Sequence, residues 1–122
     1  PKGSCLYNHI KNGALKSEGN SITEGIGSSR ITKNFEKAPI DDAYSINDND
    51  ALSVLFELLE TEGLNLGTSS GINIVGAIKL AENLGPNHTI VTILCDTSDK
   101  YKSKMFNKKF LVDKGLPYPK WL

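Results

Sequence analysis

Between two helical patterns the chain turns through Gly67-Thr68-Ser69-Ser70-Gly71, and this corner constrains the architecture more than any other segment. Two glycines let a backbone bend sharply and come close to whatever lies against it. The hydroxyls between them stand where a helix opens, and a helix N-terminus offers free N–H groups and partial positive charge. Such a corner suits a phosphate, a carboxylate or the heteroatom of a cofactor. It equally suits a plain helix cap, because Ser and Thr cap helices and Gly serves turns. Residue types alone leave these two readings level.

The flanking pattern places the corner. Before it, Asn47 can cap a helix with Asp50 in its first turn. Leu52, Leu55, Phe56 and Leu59 follow at helical spacing, widened by Val54 and Leu58, and Gly63 is a natural stop. After the corner, a second helix is expected from about Ser70 to Leu84, burying Ile74, Val75, Ile78, Ala81 and Leu84 and ending at Gly85-Pro86. Thr89 to Cys95 is a β-branched run bounded by turn signals, which reads as a strand buried on both faces. Ala43 to Ile46 is a second, shorter strand candidate, and Cys5 to Lys11 a short helix closed near Gly13. Residues 19–30 are rich in Gly and Ser and read as loop. Alternating strands and helices argue an α/β fold with a parallel sheet. In such a sheet ligands gather at the carboxyl ends of strands, so the two polar clusters, Thr68 to Gly71 and Asp96 to Asp99, are expected at loop ends and not in the core.

Bulk properties exclude more than they assign. The chain has 122 residues, enough for one modest domain, and its 14 basic and 14 acidic side chains cancel, so no cationic surplus points to nucleic acid or an anionic membrane. Its longest apolar run, Ile90 to Cys95, is too short to span a bilayer. No signal-peptide pattern opens it, which favours a cytoplasmic protein with Cys5 and Cys95 as buried, free thiols. His9 and His88 are isolated, and no Cys, His and carboxylate spacing suits a metal. The opening at Pro1, without methionine, and the closing Pro117-Tyr118-Pro119-Lys120-Trp121-Leu122 suggest the last part of a longer polypeptide. From Tyr101 onward the tail holds Met105, Phe106, Phe110, Leu111, Leu116, Tyr118 and Trp121, an apolar set expected to dock on the rest of the domain.

Several motifs in order resemble the pyridoxal-phosphate enzymes of the cysteine synthase (O-acetylserine sulfhydrylase) type, a family that includes cystathionine β-synthase. They are Gly3-Ser4, then Thr23-Glu24-Gly25-Ile26-Gly27, then Glu62-Gly63-Leu64 with Gly67-Thr68-Ser69-Ser70-Gly71, then Ile90 to Leu94 with Cys95-Asp96 and Tyr101. The resemblance covers residues 1–111. It implies the C-terminal part of the large domain of a fold type II enzyme, an open parallel sheet with flanking helices. Residues 1–122 would then be the C-terminal segment of a β-replacement domain.

By resemblance, Ser69 would hydrogen-bond the pyridine nitrogen of pyridoxal 5'-phosphate. Gly25, Ile26 and Gly27 would line the cofactor and substrate cleft, and Cys95 and Asp96 would sit beside the ring edge, although many relatives carry Pro in place of Cys95. The implied reaction eliminates acetate from O-acetylserine and adds sulfide to give cysteine. The implied partners are the N-terminal half of the same enzyme, a small amino-acid substrate and a second copy in a homodimer. Three family motifs are missing: the Schiff-base lysine, the Ser-Gly-Asn loop for the substrate carboxylate and the Gly-Gly-Thr-Gly loop for the cofactor phosphate. No residue of this chain is therefore nominated as catalytic. A rival reading takes the chain as a non-catalytic binding or assembly module, and another as part of a cystathionine β-synthase type enzyme.

Overall fold

Asn47 starts the helix on which the fold is built. Its side chain accepts from the Asp50 N–H, and Asp48 and Asp50 place negative charge at the positive helix end. In the computed structural model, which describes residues 1–122, this helix is α3, Asp48–Glu62, preceded by α1, Cys5–Asn12, and α2, Lys33–Glu36. Gly63 closes α3 at φ 68°, a left-handed conformation that favours glycine. Helix α4, Thr68–Leu84, follows, and then a 3-10 turn, Ser98–Tyr101, α5, Lys102–Met105, and α6, Lys108–Asp113. Helices α3 and α4 make the main inter-helix contact.

Two apolar clusters share α3. Leu52, Leu55 and Phe56 pack with Ile22, Tyr101, Met105 and Leu111, so the tail folds back on the helix as its apolar content demands. Phe56 and Phe106 both lie against Trp121, whose indole N–H donates to Glu60. On the other flank Ala51 joins Ile46, Ile72 and Val75. There the helices meet almost backbone to backbone: a Cβ on Gly71 would fall 2.7 Å from the Ala51 carbonyl oxygen and 2.9 Å from Leu55.

The structure contains helices and no β-strand, so the open parallel sheet expected from the alternating pattern and the resemblance is not formed. The cause is a lack of partners. Thr89 to Cys95 is irregular throughout, and no second strand lies beside it to accept a ladder. Val91 is 84% exposed, Ile93 65% and Leu94 50%, the reverse of the two-sided burial expected. Ala43 to Ile46 makes one backbone contact of note, from the Lys2 N–H to the Ile46 carbonyl at 2.6 Å, and no strand. The buried face of α4 differs too. Ile72 and Val75 are buried, whereas Ile78, Ala81 and Leu84 are exposed. Cys5 is buried and Cys95 exposed, both as free thiols.

Two glycines of α4 separate packing from propensity. Gly71→Ala is expected to lose about 1–3 kcal/mol of stability through overpacking. Gly76→Ala, where a new Cβ meets nothing within 4 Å, is expected to be neutral or stabilising by up to about 1 kcal/mol. Denaturant unfolding of the two variants measures both.

Candidate functional site

The α4 corner divides its three hydroxyls among different tasks. Ser70 is fully buried, and its Oγ accepts from the Cys95 N–H at 2.9 Å. Thr68 Oγ1 is buried with no partner. Ser69 is also largely buried, yet its hydroxyl enters none of the hydrogen bonds of the chain and is not sealed from solvent. Gly67, at the N-cap, has no side chain to cap the helix. A Cβ at Gly67 would lie 2.2 Å from Asp96 Oδ1, so the missing side chain is what admits that carboxylate.

Ser69 heads a stripe on α4. Ile72, Asn73 and Gly76 stand three, four and seven residues further on, hence on the same helix face. All three line a cavity of about 310 Å³, together with Ile26, Gly27 and Tyr44. Gly27 reaches this place by close backbone approach, for a Cβ there would be 2.7 Å from Ser4 Oγ. Ile26 packs on the cluster of Ile46, Ala51, Ile72 and Val75. The structure thus brings Ile26 and Gly27 to the stripe that Ser69 begins. Ser69 itself is not among the cavity-lining residues, and Gly25 is exposed with open space around it.

Asp96 is held at the same corner from the other side. Its carbonyl accepts from the Gly67 N–H at 2.8 Å, its Oδ2 accepts from the Tyr101 hydroxyl at 2.8 Å, and its Oδ1 is buried without a partner. The bond to the Asp96 carboxylate, aided by burial, raises the Tyr101 phenol above its ordinary range.

Two residues escaped the sequence reading. Asn73 donates from Nδ2 to the Ile93 carbonyl at 3.0 Å and to Cys95 Sγ at 3.4 Å, fastening the extended run to α4. The available signal was one amide inside an apolar stripe. Asp48, in the first turn of α3, accepts from Ser21 Oγ at 2.6 Å, the Ile22 N–H at 2.8 Å and Thr23 Oγ1 at 3.3 Å. It therefore anchors the approach to Gly25, while Lys104 pairs with Glu24. An acid in a helix first turn is ordinary, so nothing in the sequence singled out Asp48. No cluster of three His, Cys, Asp or Glu side chains is arranged to hold a metal, and no helix is long and apolar enough to cross a membrane.

Comparison with known proteins places the chain in a family. Residues 2–96 match the model of the pyridoxal-phosphate dependent enzymes, and the chain belongs to that family. Within it, the chain is similar to cysteine synthase 1 of Emericella nidulans, 41% identical over 120 residues that make up 95% of this chain and 32% of that protein. The crystal structure of the O-acetylserine dependent cystathionine β-synthase from Helicobacter pylori superposes with a TM-score of 0.71 at 36% identity, covering 85% of this chain and 32% of that one. A hydrogen sulfide-producing enzyme, solved as a D232N mutant in complex with an α-aminoacrylate intermediate, gives 0.70 at 30% identity over 88% of this chain and 31% of that one. The chain thus spans about a third of the length of the relatives it matches.

The raised Tyr101 phenol has a thermodynamic sign. The unfolded chain ionises first as pH rises, so the contribution from Tyr101 is complete below about pH 10 and is lost as pH climbs through the folded-state value. Thermal unfolding between pH 8 and 11 is expected to show a decline above pH 10 that is shallower in Tyr101→Phe.

Proposed function

We propose that residues 1–122 are the C-terminal segment of a pyridoxal-phosphate dependent cysteine synthase, which makes cysteine from O-acetylserine and sulfide by β-replacement. The observation that carries this reading is the free Ser69 hydroxyl at the head of the stripe Ile72, Asn73 and Gly76. The names of the relatives support the chemistry.

The residues present fit one wall of the cofactor site. A free hydroxyl on Ser69, at the head of the stripe whose Ile72, Asn73 and Gly76 line the cavity, and a side-chain-free approach at Gly27 suit a flat, polar-edged ligand. Bound pyridoxal phosphate supplies an electron sink for cleavage at the substrate β-carbon. Ser69 would orient the ring by a hydrogen bond to the pyridine nitrogen. Being neutral, it does not hold a proton on that nitrogen as a carboxylate would, which restrains the sink and favours β-elimination and β-replacement. Gly25, Ile26 and Gly27 would form the floor over which the amino-acid substrate enters, close to the backbone because side chains are absent or turned into the core. The Schiff-base lysine and the grips for phosphate and substrate carboxylate would come from the N-terminal half. The whole enzyme would be a cytoplasmic homodimer.

A second reading, a cystathionine β-synthase type enzyme taking a thiol amino acid instead of sulfide, is favoured by the likeness to the Helicobacter pylori structure. Steady-state assays with O-acetylserine and either acceptor separate the two.

In the enzyme that contains this segment, Ser69→Ala is expected to lower kcat by about tenfold or more, as loss of one buried hydrogen bond of about 1.4 kcal/mol in the transition state requires. The absorption band of the bound cofactor should shift in the same variant. Wild-type turnover with an unmoved band would remove Ser69 from the site.

A further inference from the structure

Helix α4 opens on Gly67 without a side-chain cap, although Ser69 in its first turn is the residue proposed to meet the cofactor. Negative charge at that end arrives instead from a distant part of the chain. The Asp96 carboxylate occupies the space that a Cβ on Gly67 would fill, with Oδ1 buried and unpaired against the positive end of the helix. Oδ2 is fixed by the Tyr101 hydroxyl at 2.8 Å. The same short segment grips the corner at three further points. The Gly67 N–H donates to the Asp96 carbonyl, the Cys95 N–H donates to Ser70 Oγ, and the Ser98 hydroxyl bonds Asn65 Oδ1. Ser98 and Ser70 are both fully buried. These contacts flank Ser69 on each side in sequence and leave its own hydroxyl unused.

We propose that Asp96 and Tyr101 are a positioning pair that clamps the first turn of α4 and thereby sets the direction of the Ser69 hydroxyl. Asp96 holds the corner through its carbonyl and sets its carboxylate against the helix start, and Tyr101 acts through that carboxylate. Neither needs to touch a ligand. The assignment rests on the reading of Ser69 given above. It adds that the corner is held from behind by residues 95–101, with Ser70 as the one corner hydroxyl that joins the grip.

The test uses the full-length enzyme, in cofactor-free form and loaded with pyridoxal 5'-phosphate. In the cofactor-free form, Tyr101→Phe should speed amide exchange at Gly67 and Cys95 by about fivefold to tenfold, the effect of one lost hydrogen bond on local opening. In the loaded form it should shift the cofactor absorption band and lower kcat by a similar factor, with KM changed less than twofold. Gly67→Ala, which drives a methyl into Asp96 Oδ1, should reproduce all three effects with the tyrosine intact. Unchanged exchange at Gly67 and Cys95 in both variants overturns the clamp whatever Ser69 does. Faster exchange with an unmoved band and kcat, where Ser69→Ala moves both, also overturns it, since the clamp would then not reach Ser69. Faster exchange together with a silent Ser69→Ala upholds the clamp and removes Ser69 from the cofactor site.

Discussion

The contact between Gly71 and the backbone of Ala51 is the constraint on which the remaining geometry depends. Because Gly71 has no Cβ, the first turn of α4 rests directly on α3, and the side chains of Ile72 and Val75 slot beside Ala51 and Ile46. That seating fixes the start of α4 in space. The Ser70 hydroxyl is then buried at the right place to receive Cys95, and Gly67 to receive Asp96. A methyl group at position 71 would lift the turn and disturb every one of these relations together, which is how packing and site chemistry become one problem in a small structure.

What sequence could reveal followed the range of the forces involved. Local signals were sufficient for α3: the Asn47 cap, the apolar stripe through Leu52, Leu55 and Phe56, and the Gly63 stop all appear as read. They were sufficient for α1 as well, which closes at Gly13 as expected. The tail docked through Tyr101, Met105 and Leu111, while Tyr118 and Trp121 stay about half exposed. The sheet failed because a strand is not a local object. Val91 and Ile93 carry the propensity, but a ladder needs a second backbone at the right distance, and this chain has none to offer.

The candidate site was legible to a similar degree. A glycine-flanked run of hydroxyls marked the corner, and order among motifs suggested its chemistry. The individual division of labour was not readable. Nothing in the string distinguishes Ser70, consumed by the Cys95 amide, from Ser69, which is left free. Asn73 and Asp48 were silent for the same reason, since their roles exist only once residues about 20 to 27 positions away are brought beside them.

The exposed run from Ile90 to Leu94 carries a consequence for the behaviour of the polypeptide in concentrated solution. It is uncharged, β-branched and free of proline, and its backbone polar groups are largely unspent. Segments of that kind recruit copies of themselves into stacked cross-β ribbons. The tethers from Asn73 and Ser70 hold its C-terminal end against a helix, and Pro86 and Asp96 bracket it as natural gatekeepers. Loss of the Asn73 amide would leave the Ile93 carbonyl open to such pairing.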